Sequence, residues 1–201
     1  MAVRVGITGF GRIGRNYLRG ALDRAETGSR QVEAVATDMA PPRALAHLLE
    51  YDSLYGRISL KVEYDDTSIT VDGQRIAVTA ERDHAALGWS EHAGDVVMES
   101  TGHFRDRDSA APHLKAGGRN VLISVPGKGG DVTVVMGVNE DAYDSAPIVS
   151  RDVIGDSASC VFDAALTQAH GDLVKVFGWY DNEWGSSNRL PDLTRYVAER
   201  L

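Results

Sequence analysis

Cysteine is almost missing. Cys160 is the single one in 201 residues, which excludes an internal disulfide framework and a cysteine zinc cluster. Basic charge is also short, with 21 Lys and Arg against 29 Asp and Glu and a net charge of −8. That balance argues against a nucleic-acid or anionic-membrane partner. No apolar run approaches the length of a membrane span and no leader segment precedes Val3, so a cytoplasmic protein is expected. No histidine pair has metal-ligand spacing on a clear element, and no metal site is expected. Repeats and low-complexity tracts are absent. The apolar share of 43% is ordinary, and the length suits one generous domain or two small ones.

What is present begins at Val3. Val3, Val5 and Ile7 alternate into Gly9, Gly11 and Gly14, and an apolar stripe of Ile13, Tyr17, Leu18, Ala21, Leu22 and Ala25 follows. This reads as strand, glycine turn, helix. The first glycine permits the tight turn, the second lets a pyrophosphate approach the backbone, and the third lets helix and strand pack closely. The helix start offers free N–H groups and the positive end of its dipole. Asp38 closes a second apolar strand, Val32 to Thr37, and lies 24 residues after Gly14. That is near the spacing for a carboxylate on the ribose hydroxyls of a dinucleotide.

Further along, Pro42 starts a helix carrying Ala44, Leu45, Leu48 and Leu49. Tyr51 to Arg57 reads as a loop and Leu60 to Tyr64 as a short strand. Ser68 to Val71 and Arg75 to Thr79 flank Asp72-Gly73, a hairpin signal. Val96 to Glu99, Val121 to Val125 and Val132 to Met136 are strands, with a helix from Arg107 to Ala116 ended by Gly117-Gly118. Residues 1–147 thus form a doubly wound α/β (Rossmann) dinucleotide-binding domain. Its ligand belongs at the carboxyl ends of the strands, where Asp38, Thr101 and Ser124 fall. Residues 148–187 carry strand-like runs, Ile148 to Ser150, Ser159 to Phe162, Ala165 to Ala169 and Leu173 to Tyr180, with turns at Gly155-Asp156 and Gly171-Asp172. They read as a reduced antiparallel sheet. Residues 188–201 form a C-terminal helix packing back on the first domain, begun by Asn188 or Arg189, with Pro191 in its first turn.

Gly6-Ile7-Thr8-Gly9-Phe10-Gly11-Arg12-Ile13-Gly14-Arg15 strongly resembles the opening of the glyceraldehyde-3-phosphate dehydrogenase family. So do Leu45 to Ser53, Glu99-Ser100-Thr101-Gly102, Val132 to Asn139, and Trp179-Tyr180-Asp181-Asn182-Glu183-Trp184-Gly185 with Ser187-Asn188-Arg189. The resemblance implies NAD as cofactor, either NAD+ or NADH. It implies that Gly9 and Gly11 cradle the dinucleotide while Arg12 and Ile13 offer backbone N–H groups to its pyrophosphate. Asp38 would hold the adenosine ribose and favour NAD over NADP, and Arg82 would lie near the adenine. Thr101, Gly102 and Phe104 would line the nicotinamide side, with Ser124 nearby. Asn182, steadied by Glu183, would bond the carboxamide. It also implies a homo-oligomer joined through the sheet, whose apolar faces need cover.

The chain departs from the family where the chemistry sits. After the Met-Gly-Val-Asn stretch the family has a long block that supplies its cysteine nucleophile, its histidine base and its substrate-phosphate groups. Here Tyr143 to Pro147 runs almost directly into Ile148 to Asp152, which resembles a late strand of the catalytic domain. Ser157-Ala158-Ser159-Cys160 contains Ala-Ser-Cys, but Val161-Phe162-Asp163 follows instead of Thr-Thr-Asn. Cys160 is expected to pack, since nothing visible depresses its pKa. Without thiolate and base, no working phosphorylating dehydrogenase is expected, and the catalytic residues are unknown. Thr8 and Ser186 replace the family's usual asparagine and aromatic. Of the histidines, His47 reads as structural, His84, His92 and His113 read as exposed, and His103 is a candidate acid or base beside the nicotinamide. Three functions stay open: an NAD(H)-binding protein without the parent activity; an enzyme acting on the dinucleotide itself or passing its hydride to another small molecule; and a deletion product with no evolved role.

Overall fold

The computed structural model describes residues 3–26, 32–92, 95–125, 128–129, 143–144, 149–170 and 173–198. Its order runs β1 (Val3–Thr8), α1 (Arg12–Glu26), β2 (Val32–Thr37), α2 (Pro42–Glu50), β3 (Tyr51–Asp52), β4 (Gly56–Arg57), β5 (Val62–Tyr64), β6 (Ser68–Val71) and β7 (Gln74–Thr79). A 3₁₀ turn (His84–Ala86), α3 (Trp89–His92), β8 (Val96–Glu99), α4 (Arg107–Lys115) and β9 (Asn120–Ile123) complete the first unit. The seven strands of the main sheet lie in the order β5-β6-β7-β2-β1-β8-β9. The five from β7 to β9 run parallel, and β5 and β6 extend the edge antiparallel. Parallel neighbours of a central strand need crossovers, and α1 and α4 supply them on the sequence's own periodicity.

β1 is an inner strand and is buried at every position but Arg4, because both of its faces are covered. Val5, Ile7, Phe10, Tyr17, Leu18 and Met98 are buried in one core shared by β1, α1 and β8. Leu45, Leu49, Ile69 and Ile76 extend it under α2 and the hairpin. Leu87, Trp89, Val97 and Ala116 form a second cluster. Each large side chain so buried contributes about 1.5–3 kcal/mol before conformational entropy is counted. The hairpin around Asp72-Gly73 forms as expected, with φ of 47° and 85° at its two turn residues.

In the later segment, β10 (Tyr143–Asp144), β11 (Val161–His170) and β12 (Leu173–Trp179) form a three-stranded sheet. β11 and β12 pair antiparallel and β10 joins β11 in parallel. The two runs read as separate strands, Ser159 to Phe162 and Ala165 to Ala169, belong largely to the single strand β11, whose register shifts between Asp163 and Gln168. Ser150 is not strand. It opens α5 (Ser150–Val153), because the Asp152 carboxylate accepts from Val149 N at 2.8 Å and closes a helical turn. The stretch Tyr51 to Arg57, read as a loop, contains the small β3–β4 pairing. The expected strand Val132 to Met136, the turn Gly171-Asp172 and the start of the run at Ile148 lie outside the described residues.

The last helix, α6 (Trp184–Ala198), starts earlier than expected. Neither Asn188 nor Arg189 begins it. Asp181 does, with Oδ1 accepting from Glu183 N and Trp184 N at 2.7 Å each. A carboxylate aimed at two free N–H groups is a stronger start than an amide further in. Pro191 therefore lies inside the helix rather than in its first turn. Leu190, Val197 and Ala198 pack on the main core, and Tyr17 Oη meets Thr194 Oγ1 at 3.3 Å. So α6 docks along α1 of the first unit.

Candidate functional site

The carboxyl ends of β1, β2, β7 and β8 meet at one edge, and the glycine turn lies across them. Gly9 has φ +80°, and its N–H reaches Thr37 O at 3.0 Å. A Cβ there would come within 2.7 Å of Thr101 N, and one at Gly14 within 2.4 Å of Gly9 O. Both positions are closed to any side chain. Gly11 is the opposite case: a Cβ would meet nothing within 4 Å. Its backbone faces open space, as close approach of a phosphate requires.

Asp38 is anchored from both sides. Its Oδ2 accepts from Phe10 N and its Oδ1 from Ala40 N, each at 3.0 Å. The carboxylate thus ties the end of β2 to the glycine turn. A cavity of about 540 Å³ opens here, and its wall includes Gly9, Gly11, Asp38, Arg82, Thr101 and Phe104. His84 and His103 complete that side. Six of the expected site residues are therefore gathered in one place. Gly102, at φ +75°, shapes the turn beside Thr101. Arg12 and Ile13 stand in the first turn of α1.

Ser124, Asn182 and Glu183 lie outside that wall. Ser124 N donates to Glu99 O at 3.0 Å, and its hydroxyl is buried without a partner among the described residues. Asn182 is exposed just before α6. Glu183 Oε1 forms an ion pair with Arg12 Nη1 at 3.1 Å, which joins α6 to the glycine turn across 171 residues of chain.

The sequence reading missed the support behind this wall. His113 is not exposed but sealed at 0% exposure. Its Nδ1 accepts from Trp89 Nε1 at 3.1 Å, and its Nε2 lies 3.0 Å from Glu99 Oε2. The indole can only donate, so Nδ1 is the acceptor and Nε2 carries the hydrogen that Glu99 accepts. Glu99 Oε1 takes Thr101 N at 2.8 Å and also the Thr101 hydroxyl. The buried carboxylate is thereby satisfied on both oxygens, and the Thr101 turn is held from behind. His84, also read as exposed, is half-buried, edge-on to Phe104 at 4.4 Å and 4.8 Å from His113. Burial, then the neighbouring His113, lowers its pKa below the ordinary 6.5. A signal was there to read: Ala110, His113 and Ala116 share one helical face, and an acid ending an apolar strand needs a donor nearby.

Asp181 was not singled out either. Beyond the start of α6 it accepts from Gly155 N and from the Tyr55 hydroxyl, both at 3.0 Å. Cys160 lies just before β11, half-buried, where its Sγ would stand 2.1 Å from a Cβ on Gly178. Its place next to a strand offers no helix N-terminus to activate it.

Fold, glycine turn and anchored acid together define a doubly wound dinucleotide-binding protein. Residues 3–107 match the family profile described as "Glyceraldehyde 3-phosphate dehydrogenase, NAD binding domain", and residues 131–182 match that family's C-terminal domain. The chain belongs to the glyceraldehyde-3-phosphate dehydrogenase family and carries its NAD-binding domain, so NAD(H) is its ligand class. It is 50% identical over 161 residues to "Glyceraldehyde-3-phosphate dehydrogenase 1" of Bacillus subtilis, covering 80% of this chain and 45% of that one. Against the protein of that family from Heyndrickxia coagulans it is 49% identical over 178 residues, covering 88% and 52%. The match to the Streptomyces coelicolor protein is 30% identical and extends over 340 aligned positions, 100% of both chains. The chain spans about half the length of the Bacillus subtilis relative it matches, 45% of that protein.

Proposed function

We propose that this chain binds NAD(H) as a cofactor-half of its family and is not a working phosphorylating dehydrogenase. The observation that carries the reading is Asp38, held by Phe10 N and Ala40 N at the rim of the glycine turn. Its remaining lone pairs suit the adenosine ribose hydroxyls and discriminate against a 2′-phosphate. Arg12 and Ile13 offer N–H groups at the start of α1 to the pyrophosphate. Arg82 serves the adenine side, and Thr101, Gly102 and Phe104 the nicotinamide side, with Ser124 behind. Asn182 binds the carboxamide, and the ion pair of Glu183 with Arg12 supports this by bringing the segment to the glycine turn.

The bound dinucleotide supplies hydride chemistry. The chain's own contribution is binding and orientation, because the block that holds the family's nucleophilic cysteine and histidine base has no counterpart between Asn139 and Ile148. Loss of such a nucleophile costs on the order of a million-fold in covalent enzymes. A second reading, in which the dinucleotide is itself the substrate or passes its hydride to another small molecule, draws on His103 at the cavity wall. Leu166, Val176, Trp179 and Tyr180 are exposed on and just after β11 and β12. We read these exposed apolar side chains as part of the contact between copies in a cytoplasmic homo-oligomer.

Calorimetric titration with NAD and NADH tests the reading, followed by mass spectrometry of the recovered ligand. Saturable binding with the ligand returned unchanged supports it. An altered ligand favours the second reading, and NADH formation at ordinary turnover from triose phosphate, phosphate and NAD overturns the loss of activity. A monomeric mass at micromolar concentration counts against the oligomer.

A further inference from the structure

A second cavity, of about 390 Å³, lies along the later half of α1, away from the dinucleotide side. Arg19 and Asp23 on its wall follow Gly14 by five and nine residues, about 8 Å and 14 Å along the helix. The wall carries Arg19, Arg57 and Arg151 beside Asp23. Arg57 is paired with Glu50 and Arg19 lies in the field of Asp52, so Arg151 is the guanidinium left for a ligand. Arg19 is buried, fixed by Leu49 O and Gly56 O, and Arg57 is held by Glu50 Oε1 at 2.6 Å. Arg151 is exposed and has no ion-pair partner among the described residues. Apart from Ser59 and Gly155, the rest of the wall is apolar or aromatic. Tyr55 and Trp184 stack at 4.7 Å with their planes 35° apart, and Leu54, Ile58, Leu60 and Ile154 continue the surface.

We propose that this cavity is a binding site for a small aryl anion, a flat apolar body ending in a phosphate or carboxylate. The Tyr55–Trp184 pair takes the flat body. Arg151 takes the anion, and a guanidinium fork suits both a phosphate and a carboxylate. A cationic ligand of the same shape meets like charge at Arg151. The site rests on residues that the dinucleotide reading does not use, so either can fail alone.

The test is calorimetric titration of the full chain with phenyl phosphate, benzoate and benzylamine, with and without saturating NADH. The expected result is saturable binding of one or both anions with a Kd of about 1 mM or tighter, unchanged by NADH, and none for benzylamine. Which anion binds identifies the end group. Arg151→Glu, at an exposed position, weakens binding about tenfold or more. Ser59→Trp, which fills the mouth from another exposed wall position, abolishes it. Circular dichroism verifies that both variants fold. Absence of saturable anion binding, equal affinity in both variants, or displacement by NADH overturns the proposal.

Discussion

His113 Nε2 lies 3.0 Å from Glu99 Oε2, with both side chains closed to solvent. Trp89 fixes the imidazole from the other side, and Glu99 in turn holds Thr101. Replacing His113 by Ala leaves Glu99 Oε2 and the buried indole N–H of Trp89 without partners. The expected loss of stability is about 3 kcal/mol, read from urea unfolding. A loss below about 1 kcal/mol would show that the network is not closed as described.

The glycines of the first turn are separable. Gly14→Ala drives a methyl into Gly9 O and should cost about 2 kcal/mol or more. Gly11→Ala meets no protein atom, so stability should stay within about 0.5 kcal/mol of the parent. Its methyl occupies the approach to the pyrophosphate, and NADH affinity should fall at least about tenfold. Thermal melts and NADH titration distinguish the two effects.

Asp38→Ala removes the acceptor shared by Phe10 N and Ala40 N. Affinity for NADH should drop about 10- to 100-fold, while that for NADPH changes less, because the repulsion of a 2′-phosphate goes with the carboxylate. Side-by-side titrations of the two cofactors measure the narrowing.

Asp181 gives an acid dependence. Burial pushes its carboxyl up, but the amide donors of Trp184, Gly155 and Glu183 and the Tyr55 hydroxyl outweigh burial and hold it below the ordinary 3.8. A folded pKa below the unfolded one contributes stability that is complete above the unfolded value and lost as pH falls through the folded one. Asp181→Asn should therefore cost about 1.5–3 kcal/mol at neutral pH. The gap from the parent should narrow as the pH falls below the ordinary carboxyl value of 3.8 in parallel denaturant series. A gap independent of pH would show that the charge is not what holds α6.

The glycine turn was legible in the chain because its signals are local. Gly9, Gly11 and Gly14 mark the passage from an apolar strand into an amphipathic helix; Gly9 and Gly14 have no room for a Cβ, while Gly11 leaves open space. Asp72-Gly73 announced its hairpin in the same way. The misreadings share another cause. His113 was placed on the surface because charge type was weighed above its helical face, and its partners Trp89 and Glu99 are 24 and 14 residues away. The start of α6 was misplaced because Asp181 precedes the apolar stripe that was used to find the helix.

The sequence alone determined the strand–turn–helix that opens the chain, the alternating plan behind it, and the family to which it belongs. These depend on residue type at short spacing, where sterics and hydrophobic period act directly. Only tertiary structure decided that Glu183 would meet Arg12 across 171 residues, that Glu99 would find a histidine behind Thr101, and that three arginines from separate elements would line one cavity. Such meetings follow from the packing of layers, and no local pattern encodes which distant polar group will arrive to satisfy a buried one.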